Sequence, residues 1–295
     1  MARAVADKMS ATLGQQIVIE NRAMGGSGTV ASRAVAKGPA DGYTILLGYT
    51  STLATGPSLS SGAGYDVRKD FAPLGTIGMA PALLLVHPGV SYRNVADLIA
   101  DIKASKEPFQ VATPGISTVN HLAAVLFAQQ AGVNLQYIPY KGSQPLITDM
   151  VGGHVKVGFN PIPVSRGALD GKLIRALAGT SLKRSSAFPD LPTVAESGVP
   201  GFEVIAWYNV FAPARTPRPI VTKLNTEINR LLQTADVRER FQTLGVAPLG
   251  GKGLRHAHGA VELQRVEHPA LGVHRMGLLV DGRALDHQHE ALRGA

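Results

Sequence analysis

Short apolar runs alternate with amphipathic stretches along most of the chain. "MARAVADKMSATLG" opens it, with Ala2, Val5, Met9 and Leu13 at helical spacing and Gly14 as the stop. "QQIVIEN" reads as a strand, "RAMGGSG" as a glycine turn, "TVASRAVAKGPADG" as a short helix and "YTILLGY" as a second buried strand. A polar, glycine-rich section, "TSTLATGPSLSSGAG", then leads to two further strands, "FAPLGTIG" and "PALLLVHP". "NVADLIADIKAS" predicts a helix capped by Asn94, with Val95, Leu98, Ile99 and Ile102 on one face.

A second section starts near Pro108. Its strands are "FQVAT", "LQYIPY", "VKVGFN" and "LIRALAG", and its helices are "STVNHLAAVLFAQQAG" and "SQPLITDMVGG". Strands that alternate with helices of roughly 10–15 residues predict βαβ units, an α/β fold and mostly parallel sheets. Residues 203–212, "EVIAWYNVFA", form one longer strand. Prolines in "PARTPRP" follow it, and then two helices in "IVTKLNTEINRLLQTADVRERFQTLG". This order predicts a return crossing to the first section.

The tail departs from the pattern. The last 45 residues hold six of the nine histidines and five arginines against one lysine, and only "MGLLVDG" resembles a buried element. The histidine spacing is irregular and matches no metal-binding motif. Two readings stay open: a segment that packs poorly, or one translated out of frame.

Composition narrows the function classes. The 295 residues are 45% hydrophobic, which suits a globular protein with a substantial core. No apolar run reaches the roughly 18 residues of a membrane helix. The N-terminus lacks the basic and apolar regions of a secretory signal. The absence of cysteine removes disulfides, thiolate catalysis and cysteine-ligated metal sites. The net charge is +8, but basic residues are dispersed and aromatics make up 5%, so no nucleic-acid partner is expected. A diffuse positive field favours small anions instead.

The candidate chemistry lies in four strand-to-helix turns. Ser27, Gly28 and Thr29 follow the first strand; Thr50, Ser51 and Thr52 follow the second; Gly115, Ser117, Thr118 and His121 follow "FQVAT"; Lys141, Gly142 and Ser143 follow "LQYIPY". Glycine lets the backbone approach a ligand, and a helix N-terminus offers unpaired N–H groups to an anion. The first turn is neither a Walker loop nor GxGxxG, and a plain strand-to-helix turn explains it equally well. Either Ser117 or Thr118 serves as an N-cap. Ser117 and His121 raise a hydrolase alternative, but the serine lies on no nucleophile elbow and no acid is nearby in sequence. Lys141 reads equally as a cleft cation or a solvated side chain, and Asp149 as part of a solvated face. In parallel α/β sheets ligands sit at the carboxyl ends of strands. Four such turns therefore supply donors for holding an anion, with no cofactor or metal implied.

Several stretches carry a family resemblance: "VIENR…GSGTVA…VAK…ADGYTILLG", "YDVRKDFAPLGTIG", "HLAAVLFAQQAGVNLQYIPYKGSQPLITDMVGGHVKVGF", "FPDLPTVAESGVPGFEV" and "WYNVFAPARTP". Across about residues 2–250 the chain resembles the periplasmic solute-binding proteins of tripartite tricarboxylate transporters, the Bug or TctC family. The resemblance implies a two-lobe Venus-flytrap fold, with lobe one at 1–106 plus 213–295 and lobe two at 107–212. It implies a monomeric, periplasmic receptor that holds a small organic carboxylate through loop backbone and hydroxyls, often with water, and presents it to membrane permease subunits. By position, Ser27, Gly28, Thr29, Thr50, Ser51, Gly115, Ser117, Thr118 and His121 fall in the family's cleft loops. The chain departs from the family in starting inside what resembles the first helix, without the usual signal peptide, first strand and "PFxxGGxxD"-like loop. An exposed sheet edge and an incomplete pocket are expected from this, so a truncated copy with impaired binding is a further alternative. Resemblance also fades after Gly251. Asn160 stands where the family usually has aspartate, which bears on ligand choice, and Asn209 replaces a common glycine.

Overall fold

The computed structural model describes residues 1–22, 28–59, 62–250, 263–268 and 273–278, the last two segments as backbone alone. The first elements are α1 (Ala2–Leu13), α2 (Thr29–Ala36) and β1 (Leu46–Tyr49). A π-helical turn, Ser51–Thr55, then runs directly into α3 (Gly56–Leu59). Next come β2 (Phe71–Val86), α4 (Val95–Ala104), β3 (Phe109–Thr113), α5 (Val119–Ala131), β4 (Leu135–Pro139) and α6 (Ser143–Val151). They are followed by β5 (Val157–Pro161), α7 (Ile162–Asp170), β6 (Arg175–Gly179), β7 (Ile205–Pro213), α8 (Arg218–Leu231), α9 (Ala235–Thr243) and β8 (Ala247–Pro248). A hairpin of β9 (Leu263–His268) and β10 (Val273–Leu278) ends the described chain.

Local chemistry accounts for most boundaries. Gly14 ends α1 in the left-handed conformation (φ 67°), as a C-cap glycine does without steric cost. Asn94 caps α4 by accepting the Asp97 N–H at 2.8 Å. Val95, Leu98 and Ile102 form the buried face of that helix, as its spacing predicts.

"FAPLGTIG" and "PALLLVHP" are one strand, not two. β2 runs unbroken for 16 residues and organises the molecule. Register shifts near Gly75 and Gly78 bend it without ending it, as bulges do. Residues 71–81 pair with β7, whereas residues 82–86 pair with β5 and β6. The strand therefore passes from one lobe to the other at Pro81–Ala82, and β7 enters the first lobe beside it.

Two pairs of hydrophobic clusters flank this crossing. In the first lobe, Leu74, Ile77, Val210 and Ala212 pack with α1, α8 and α9. Trp207, Phe211, Leu46 and Phe71 pack on the opposite face, with Val35 of α2 and with Leu53 and Ala54 of the π turn. In the second, Leu84, Val111, Val157 and Phe159 pack under α4 and α5, and Leu83, Leu85 and Ala112 pack under α6 and α7. Residues 82–106, expected in lobe one, thus belong with the second core, because Val86, Val95, Leu98 and Ile102 are buried there. Residues 205–212, expected in lobe two, pair instead with β1 and the first half of β2.

The sheets are mixed rather than mostly parallel. Parallel ladders join β3 to β4 and β3 to β5. The crossing strands β2 and β7 run antiparallel to each other, since one leaves the first lobe and the other returns. "QQIVIEN" forms no strand. The Ile17 N–H goes to Ser10 Oγ at 2.8 Å, and Val18 is 79% exposed. An alternating pattern builds a strand only where a neighbouring strand takes up its backbone groups. The apolar pattern predicts no helix at α7, because Pro161, Pro163 and Gly167 obscure its period. Pro163 is tolerated in the first turn, where helix N–H groups have no intrahelical partner.

Candidate ligand-binding site

The carboxyl ends of β1 and β3 bring hydroxyl-rich segments from the two lobes into contact. Thr50, Ser51, Thr52 and Thr55 are all at most 2% exposed. The Thr50 hydroxyl accepts the Trp207 backbone N–H at 2.9 Å, tying the end of β1 to the start of β7. Ser51 Oγ accepts the Val119 N–H at 3.1 Å, in the first turn of α5 in the other lobe. Thr55 Oγ1 donates to the Ser117 carbonyl at 2.6 Å. The π-helical turn orients these hydroxyls; such turns recur at functional sites. Gly48 makes room for the turn, since a Cβ there would run into Leu53 and Phe211.

On the facing lobe, Thr118 is the N-cap of α5. It accepts the His121 N–H at 3.2 Å and donates to the Gly115 carbonyl at 2.7 Å, which settles the choice between Ser117 and Thr118. Gly115 adopts φ 149°, a conformation that side chains rarely take, and lets the loop fold back onto the helix. Replacing Thr118 with Ala removes the cap and is expected to lower stability by about 1 kcal/mol, checked by urea denaturation.

His121 is buried, with Nδ1 3.0 Å from Thr113 Oγ1 and its ring tilted against Tyr137. Burial lowers its pKa below the ordinary 6.5. A histidine whose folded pKa is depressed stabilises the fold fully above its unfolded pKa. The stabilisation falls away as the pH drops below about 6.5 towards the depressed value. Unfolding experiments at stepped pH should therefore show an acid-side loss of stability that His121→Gln diminishes. The Nδ1 that would face a carboxylate in a catalytic triad faces a hydroxyl here.

Asn160 lies at the carboxyl end of β5, opposite Leu83 on β2. It is fully buried, and its Nδ2 donates to Ser165 Oγ at 3.2 Å. Gly28 is the N-cap of α2, which has no side-chain cap bond. A Cβ on Gly28 would lie 3.3 Å from Thr52 Oγ1, so the Thr52 hydroxyl sits beside this helix start. Thr29 is the first residue of α2, and Ser27 lies outside the described residues.

The remaining candidates fall elsewhere. Lys141 is exposed. Asp149 is not simply a solvated group: it accepts the Tyr140 hydroxyl at 2.8 Å, and burial together with that carboxylate pushes the Tyr140 phenol up to about 12. Thr55, Thr113, Trp207 and Thr180 carry no motif in the sequence, whereas Thr52 is legible beside Thr50 and Ser51. Thr180 Oγ1 accepts the Ala82 N–H at 2.8 Å and donates to the Val204 carbonyl at 2.6 Å, pinning both ends of the crossing. Only the hydroxyl run "TSTLAT" signalled Thr55, and nothing local signalled the others. Thr52 Oγ1, Asn160 Oδ1, Trp207 Nε1 and Asn209 Oδ1 are buried without a hydrogen-bond partner. Among the described residues, no group of three or more histidine, aspartate or glutamate side chains is placed to hold a metal ion.

The profile of the tripartite tricarboxylate transporter family receptors matches residues 1–258. The chain belongs to this family. It is therefore a solute receptor of a periplasmic family and not an enzyme. BugT of Bordetella pertussis is 37% identical over 250 residues, covering 84% of this chain and 76% of that protein. The structure of R. palustris Rpa4515 with adipate is similar with a TM-score of 0.84 at 37% identity, covering 88% of this chain and 87% of that one. MatC from Rhodopseudomonas palustris with bound malate gives a TM-score of 0.76 at 32% identity, covering 84% of each chain. Two α/β lobes joined by crossing strands are thus the family's architecture.

Proposed function

We propose that this receptor binds a small organic carboxylate between its lobes and delivers it to the membrane permease subunits of a tripartite transporter. The observation that carries the reading is the seam at α5, where Ser51 and Thr55 of one lobe meet Val119 and Ser117 of the other. This places hydroxyls and a helix N-terminus together, and no carboxylate takes part in the bonds that join them. Such a setting stabilises an anion through neutral donors and the helix dipole. Ser27, Gly28, Thr29, Thr50, Ser51, Gly115, Ser117, Thr118, His121 and Asn160 are the proposed cleft residues. Adipate and malate, present in two related structures, are both dicarboxylates and support the same ligand class.

The receptor acts as a monomer in the periplasm, and solute transfer needs no cofactor. The test is calorimetry against monocarboxylates, dicarboxylates, tricarboxylates and amino acids, with thermal shift in parallel. Saturable heat and a raised melting temperature with a carboxylate support the reading. A panel in which only uncharged or cationic solutes bind would refute it.

A further inference from the structure

The amide of Asn160 is held in one orientation. Ser165 Oγ donates its single proton to the Pro161 carbonyl at 2.9 Å. Toward Asn160 it is left only as an acceptor, so the NH2 of the amide must face it, as the 3.2 Å Nδ2 contact records. The oxygen then points the other way. Asn160 and Ser165 are both 0% exposed, and Oδ1 has no partner. A buried acceptor without a donor is unfavourable, and the penalty is relieved when a donor arrives.

Its position makes that donor a ligand group. Asn160 pairs with Leu83, next to Ala82 where β2 leaves for the first lobe. β5 runs parallel to β3, whose carboxyl end carries Thr113 and the loop into α5. The residue thus lies on the rim of the second lobe that faces the first.

We infer that Asn160 is a specificity residue that selects carboxylates bearing a hydrogen-bond donor, a hydroxyl in the first instance, over the plain acid of the same length. This rests on the proposed cleft. A hydroxyl satisfies Oδ1, whereas a methylene leaves it unpaired and a second carboxylate oxygen sets acceptor against acceptor. Discrimination by a polar group that goes unpaired with the wrong ligand is sharper than discrimination by size.

The test is calorimetry on matched sets: propionate, lactate and alanine; succinate, malate and aspartate; glutarate, 2-hydroxyglutarate and glutamate. In the set of the length that binds, the hydroxy acid is expected to bind at least tenfold tighter than the plain acid. The amino acid arm reports whether an ammonium serves equally well. Asn160→Leu should bring the ratio of hydroxy to plain acid within about twofold. Ser165→Ala frees the amide to turn, so it should reduce the ratio with Asn160 still in place; it gives an independent reading if the first variant folds poorly. Equal binding of plain and hydroxy acids by the native protein overturns the inference and leaves the receptor reading intact. Failure of every carboxylate to bind overturns both.

Discussion

Phe159→Ala is expected to cost about 3–5 kcal/mol of folding stability and to weaken ligand binding with it. Phe159 is 0% exposed on β5, with its ring centroid 5.8 Å from that of Phe127 on α5. Phe127 in turn packs edge-on against Phe202, 6.3 Å away, in the turn before β7. The three rings in series therefore couple a central strand, the helix whose N-terminus lines the seam, and the segment returning to the first lobe. Truncation removes one of the three phenyl rings in this chain of contacts and leaves a cavity that a close-packed core fills only partly. Because Asn160 is the next residue, the strand end it depends on also loses support. Denaturant titration checks the stability. A loss under 1 kcal/mol would show that the second core does not depend on this ring.

The sequence displayed what depends on neighbours close in the chain. The α4 cap at Asn94, the α1 stop at Gly14 and the period of Val95, Leu98 and Ile102 are local events, and each is visible in the letters. The hydroxyl turns after β1, β3 and β4 were visible too, since small polar residues after an apolar run mark strand-to-helix junctions. What stayed hidden is set by partners distant in sequence. Residues 71–86 form one strand because β7, more than a hundred residues later, pairs with its first half while β5 and β6 take its second. The same cause moved the lobe boundary, since β2 carries its core positions past Pro81 into the other lobe. "QQIVIEN" shows the reverse case: its alternation predicted a strand, but among the described residues no strand pairs with it. In the site, Thr50 was legible as a hydroxyl at the right turn, but its bond to Trp207 spans 157 residues and is no sequence signal. Ser117 contributes through its carbonyl to Thr55, a role its side-chain type does not announce.

Combining Ser51→Ala with Thr55→Val is expected to open the unliganded receptor and weaken ligand binding about fivefold or more. The wild-type lobes are joined at the seam by two direct hydrogen bonds, Ser51 Oγ to the Val119 N–H and Thr55 Oγ1 to the Ser117 carbonyl. Both hydroxyls are nearly fully buried, so neither bond is readily exchanged for one to solvent. A typical intramolecular hydrogen bond is worth about 0.5–1.5 kcal/mol net, so losing both shifts the open–closed balance by roughly 1–3 kcal/mol. A ligand that binds the closed form must then supply that free energy, and its apparent affinity falls by the fraction of closed molecules lost. Small-angle X-ray scattering of the unliganded double variant should give a larger radius of gyration than the native protein. Saturating ligand should bring the two radii together. The single variants should fall between, with Thr55→Val the larger because its 2.6 Å bond is the shorter. Equal radii without ligand, together with unchanged affinity, would mean that the hydroxyl seam does not hold the lobes. Closure would then belong to the crossing strands and to Thr180, which bonds both of their ends.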